Sequence, residues 1–127
     1  MYKIEQLNFT ISNVLLKIGV SYKLDGAKYL ARAVDIAINT PNSIITLTKN
    51  IYSVIAQEFG TKPANVERSI RHAVKKACAS NCIEHLNQIF GINLYSQYER
   101  PSNGELIAIL AERIPYLTSH YVKIGAC

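Results

Sequence analysis

Between Tyr52 and Ala79 the chain reads YSVIAQEFGTKPANVERSIRHAVKKACA. Two runs with helical apolar spacing are separated by Gly60-Thr61-Lys62, and Pro63 opens the second. Gly60 adopts positive φ at little cost, so Phe59-Gly60 ends the first run. Proline suits a first helical position, because the N–H it lacks has no partner there in any helix. The spacing therefore predicts a short helix, a tight turn and a longer helix over about 63–79, the layout of a helix-turn-helix. With Pro63 first, Lys62 falls at the cap, although Thr61 has the better capping chemistry.

The second helix has two unlike faces. At about 100° per residue, Val66, Ile70, Ala73, Val74 and Ala77 form one apolar stripe. Asn65, Arg68, Arg71, His72 and Lys75 lie opposite, with Glu67, Ser69 and Lys76 on the flanks. Arginine on such a face reaches guanine edges and phosphates in a major groove. A solvated basic helix packed on a small helical domain would show the same pattern. Charge placement weighs for the first reading. The chain carries a net charge of +5 and a pI near 9.2. Between Thr61 and Ser80 stand Lys62, Arg68, Arg71, Lys75 and Lys76 against Glu67 alone, so +4 of that +5 lies here.

A chain of 127 residues, 49% hydrophobic and 18% charged, suits one globular domain over residues 1–127. No apolar run approaches the roughly 20 residues that span a bilayer. The N-terminal MYKIEQLNFTIS lacks a signal-peptide core, so the expected compartment is the cytoplasm, away from any membrane. Cys78, Cys82 and Cys127 are odd in number and do not suggest a disulfide framework. Cys78, Cys82 and His85 would share a face only if one helix ran through them, and Ser80-Asn81 reads as a break. The expectation is buried, apolar-type cysteines with no metal and no cofactor.

Taken in order, Ile11, Val14, Leu15 and Ile18 mark a helix over about 7–18 that stops at Gly19. Asp25 is placed to cap a second helix to Asn39, with Ala27, Leu30, Val34, Ala37 and Ile38 inward and Lys28, Arg32 and Asp35 in water. Thr40-Pro41 signals a third helix to about Ile51. Its border with the Tyr52 helix is soft: either Ser53 caps a new helix or the two fuse. After Ser80-Asn81 a helix carries Ile83, Leu86, Ile89 and Phe90 inward and stops at Gly91, and 92–100 reads as a connector. Ser102 and Glu105 have the S-x-x-E spacing of a capping box. The last helix buries Leu106, Ile107, Leu110, Ala111 and Ile114 and is expected to end at Pro115, leaving 115–127 as a tail.

VERSIRHAVKKA, with FGTKPAN before it and IEHLNQIFG after it, resembles the DNA-binding effector domain of the stage-zero sporulation response regulators of endospore-forming Firmicutes. PSNGELIAILAERI is similar to the last-helix motif of that family, and IGVSYKLDGAKYLARAV to an earlier segment, so the resemblance covers about 14–114. It implies an all-α fold of about six helices around a central helix-turn-helix, of the response-regulator effector type without a wing. It also implies binding to double-stranded promoter DNA at TGTCGAA-like elements, often by two domains on tandem sites. Glu67 and Arg68 match the family's base-reading positions, and Arg71 and His72 match DNA contacts from the same helix.

Departures from that pattern bear on recognition. Asn65 stands where the family often has arginine, and Lys75-Lys76 replace a more neutral pair, which strengthens phosphate attraction. The expected base readers are Glu67, Arg68, Asn65 and Arg71. His72, Lys75 and Lys76 would hold the backbone, with Thr61 and Lys62 at the helix N-terminus, where the dipole favours an anion. No acidic pocket or β/α repeat of a phosphoacceptor receiver is present in this sequence, so no phosphorylation switch is expected within it. That absence motivates the alternative of an interaction protein that pairs with a full-length regulator. An enzyme is not expected: the histidines are dispersed, and no nucleophile motif or glycine-rich phosphate loop stands out.

Overall fold

The computed structural model describes residues 2–40, 47–91, 93 and 100–126, with the backbone alone for 2–6, 47–49 and 118–126. Among the described residues six helices follow one another: α1 Tyr2–Lys17, α2 Asp25–Asn39, α3 Leu47–Phe59, α4 Pro63–Ala79, α5 Cys82–Phe90 and α6 Asn103–Ala126. There is no strand among the described residues. The protein is all-α.

Helix α2 is the hub, packed against α1, α3, α4 and α6. Its sequence explains why. Gly26, Ala27, Ala33 and Ala37 are buried beside Leu30 and Val34, and small residues let helix axes approach closely. The α1 stripe Ile11, Val14, Leu15 and Ile18, the α4 stripe and the α6 stripe Leu106, Ile107, Leu110, Ala111 and Ile114 close on it as one core. Every member of those stripes falls where its spacing predicts. Burying them supplies most of the stabilisation, at roughly 25 cal/mol per Å² of apolar surface.

Three helices end on glycine in the left-handed region. After α1, Gly19 takes φ +101 and the Val20 N–H reaches back to the Leu15 carbonyl at 2.9 Å. After α3, Gly60 takes φ +67 and the Thr61 N–H reaches the Ala56 carbonyl at 2.9 Å. Gly91 ends α5 at φ +69, its own N–H donating to the Asn87 carbonyl.

Several expectations are corrected. Helix α1 begins at Tyr2, five residues before Leu7. Asp25 is the first residue of α2; Leu24 is the cap, and no side chain bonds there. Of the two readings at the Tyr52 border, the unbroken helix is the one seen from Leu47 onward: α3 runs through Tyr52, and Ser53 lies inside it and caps nothing. Arg32 and Asp35, expected in water, are half-buried and held in an ion-pair network. Pro115 sits within α6, which continues to Ala126. Proline lacks the N–H that would bond Ala111, yet Ile114 before it is fully buried and Leu117 after it packs on the core. That packing on both sides outweighs the lost bond. The helix start read at Thr40-Pro41 and most of the 92–100 connector lie outside the described residues; Thr40 itself caps the end of α2.

Candidate nucleic-acid interface

Helices α3 and α4 are joined by Gly60, Thr61 and Lys62 alone. The turn is fixed from outside by α2. Arg32 forks onto Glu58, with Nε to Oε1 and Nη2 to Oε2 both 2.8 Å, and its Nη1 donates to Asp35 Oδ2 at 2.8 Å. Beside this clamp, Tyr29 meets Phe59 edge-to-face, ring centroids 5.1 Å apart. Hydrogen bonding to Arg32 holds the Glu58 carboxyl below its usual range. The same bond from Glu58 raises the Arg32 guanidinium.

Helix α4 begins with Lys62 extended at the cap and Pro63 at the first position, and no side chain caps it. Its buried stripe is Val66, Ile70, Ala73, Val74 and Ala77. The other face is open. Lys62, Asn65, Arg68, Arg71, His72, Lys75 and Lys76 are all exposed, while Thr61 and Glu67 are half-buried. Asn65 is tethered across the turn, its Nδ2 donating to Thr61 Oγ1 at 3.1 Å. Arg71 donates through Nη1 to Glu67 Oε1, one turn earlier. Arg68, Lys75 and Lys76 form no ion pair among the described residues. The geometry thus offers three unpaired cations and one acidic–basic couple on a single helical face, beside an uncapped N-terminus.

The start of α6 meets this helix. The Ser102 N–H donates to Glu105 Oε1 at 3.1 Å and the Glu105 N–H to Ser102 Oγ at 3.2 Å, so the capping box is formed as read. The neighbouring Asn103 donates through Nδ2 to the main-chain carbonyl of Glu67 at 3.1 Å. An open cleft of about 560 Å³ lies here, lined by Tyr52, Pro63, Glu67, Arg71 and the first residues of α6. Burial pushes the Tyr52 phenol above its usual pKa; Asn103 opposes this, Glu67 adds to it and Arg71 opposes it. The Asn103 amide is aimed at the Glu67 carbonyl, and the phenol oxygen has no partner of hydrogen-bond geometry.

A family profile described as sporulation initiation factor Spo0A C terminal matches residues 11–114. The chain belongs to that family. Membership makes it a DNA-binding effector domain of the sporulation transcription regulators. The match runs from Ile11 in α1 to Ile114 in α6, so it takes in every helix that touches α4.

Of the residues read from sequence, Glu67 with Arg71 and Asn65 with Thr61 are brought into direct contact. Arg68, His72, Lys75 and Lys76 share the exposed face without touching one another through any hydrogen bond or ion pair among the described residues. The parts played here by Asn103 and Tyr52 have no signal of their own in the sequence. The capping-box motif points to the place of Asn103 in its helix, but nothing local in the sequence pairs it with Glu67. No trio of potential metal ligands gathers among the described residues. Cys82 is buried, and burial together with Cys78 pushes its thiol up to about 12. His85 is half-buried with Nδ1 enclosed and unpartnered. No described helix is long and apolar enough to cross a membrane.

Proposed function

We propose that the chain is a single helix-turn-helix domain that binds double-stranded DNA sequence-specifically and regulates transcription, with α4 lying in the major groove. The observation that carries this is the exposed face of α4, where Arg68, Lys75 and Lys76 stand unpaired in a chain of a DNA-binding family. Arg68 presents two donors to guanine O6 and N7, and Glu67 accepts from cytosine N4. Asn65 and Arg71 read or adjust the flanking bases. Lys62, Thr61, His72, Lys75 and Lys76 hold phosphates, the first two at the helix N-terminus where the dipole favours an anion. The TGTCGAA-like element and occupancy of tandem sites by two copies follow from the family resemblance.

Selection of bound sequences from a randomised duplex library, at fixed salt, tests the reading. Enrichment of a TGTCGAA-like element, changed at the base next to Asn65, is the expected result. Retention of duplexes without enrichment of any sequence would mean that α4 holds phosphates only, and would overturn it.

A further inference from the structure

The first turn of α4 is the least anchored part of the helix that reads DNA. Pro63, Ala64 and Asn65 are exposed, and only Val66 of the first four residues is buried. The rest of the stripe packs mainly on α2 and α3. Apolar contact is non-directional, so a stripe alone leaves a helix free to roll by a few degrees. With a side-chain tip carried some 6 Å from the axis, a roll of about 10° moves it by roughly 1 Å, while recognition geometry has to be held within about 0.5 Å.

A directional bond removes that freedom, and one is present. Asn103 Nδ2 donates to the Glu67 carbonyl at 3.1 Å across 36 residues of sequence. A carbonyl has two acceptor sites, so one can stay in the helical ladder while the other takes the amide. The donor is itself held. Asn103 is the first residue of α6, inside the Ser102–Glu105 box, between buried Pro101 and fully buried Leu106 and Ile107. Glu67 passes the constraint on, since Arg71 is bound to its carboxylate one turn later.

We infer that Asn103 is a positioning residue for base recognition: its side-chain amide fixes the roll of the N-terminal half of α4 and thereby the aim of Glu67. The inference rests on the reading of α4 as the recognition helix. Asn103 touches no base itself; it acts through the main chain of the residue that does.

The experiment compares bound-sequence profiles, salt dependence and thermal melts of the full chain as wild type, Asn103→Ala, Asn103→Asp, Glu67→Ala and the Asn103→Ala/Glu67→Ala double variant. Asn103→Asp is the discriminating arm. It introduces a charge favoured in the first turn of a helix, yet it sets an acceptor against the Glu67 carbonyl. Both Asn103 variants should lose roughly two- to tenfold in affinity for the selected element. They should flatten the preference at the base pair that Glu67→Ala flattens and leave the salt slope unchanged. In the double variant, Asn103→Ala should add less than about twofold to the loss from Glu67→Ala. A uniform loss on all duplexes with that preference intact overturns the inference, as does loss of a cooperative melt in both variants, which marks a purely structural bond. If Glu67→Ala leaves every preference unchanged, the base-reading assignment itself fails, and it fails in an arm that does not involve Asn103.

Discussion

Gly26, in the first turn of α2, lies so near the main chain of Ser69 in α4 that a Cβ there would sit 2.0 Å from the Ser69 carbonyl oxygen and 2.9 Å from the Ala73 Cβ. The obstacle is helix backbone, which has no rotamer to move aside. The depth at which α4 beds onto the hub is therefore set by a missing side chain. Gly26→Ala, ordinarily a mild or stabilising change in a helix, should here destabilise by at least about 2 kcal/mol in urea denaturation. Affinity for DNA should fall with it, because α4 must shift outward to admit the methyl. Unchanged stability would show that the crossing is looser than this geometry.

The fork of Arg32 on Glu58 gives the turn a pH dependence. Glu58 has its folded pKa depressed by Arg32, so its contribution is present above the unfolded carboxylate value of about 4.5 and is lost as pH falls through the folded value. Both side chains are more than a third exposed, at 36% and 37%, so solvent and salt limit the effect of Arg32→Ala to about 1 kcal/mol at neutral pH. Denaturation curves of wild type and Glu58→Gln should differ by a constant amount between pH 6 and 8 and converge well below pH 4.5. A difference that persists at pH 2 would assign the effect to packing.

How far the sequence discloses this molecule depends on whether a signal is carried within one helix or between two. The stripe of Val66, Ile70, Ala73, Val74 and Ala77 was legible because burial imposes the helical period on one continuous segment. The Ser102–Glu105 box was legible because both partners lie within one turn. Pro115 misled for the opposite reason: its local cost is visible in the sequence, while the packing of Ile114 and Leu117 that outweighs it is not. Gly26 against Ser69, Arg32 against Glu58 and Asn103 against Glu67 join helices far apart in the chain, and no period or motif announces which face meets which. In the candidate site, the outward residues of α4 were read from one helix. The groups that hold that helix in place came only with the fold.

Tyr52 supplies a prediction that runs against intuition for a core tyrosine. Its side chain is 3% exposed, and its hydroxyl is enclosed without a hydrogen-bond partner. Tyr52→Phe removes an unmet polar group and keeps the ring, so stability at pH 7 should be equal to wild type or up to about 1 kcal/mol higher. The folded pKa of this phenol is raised, so its contribution is intact below the unfolded value of 10.0 and is lost as pH rises through the folded value. Alkaline denaturation above pH 10 should accordingly be shallower for Tyr52→Phe. A destabilised phenylalanine variant at pH 7 would reveal a bond to the hydroxyl that the fold does not display.

The base-reading and phosphate-holding roles proposed for α4 separate experimentally because Arg68 and Lys76 are both exposed and unpaired among the described residues but differ in chemistry and place. Arg68 stands in the second turn beside Glu67, and its planar guanidinium presents a two-donor fork. Lys76 stands in the last turn and offers a hydrated point charge. Arg68→Ala should cost about 1–3 kcal/mol on the selected element and relax the preference at one base pair. Lys76→Ala should weaken selected and random duplexes by the same factor and reduce the slope of log K against log salt by about 1. Fluorescence-anisotropy titrations of both variants at several salt concentrations distinguish the roles. Should Arg68→Ala bind the selected element as tightly as wild type, the base-reading role passes from Arg68 to another residue on that face.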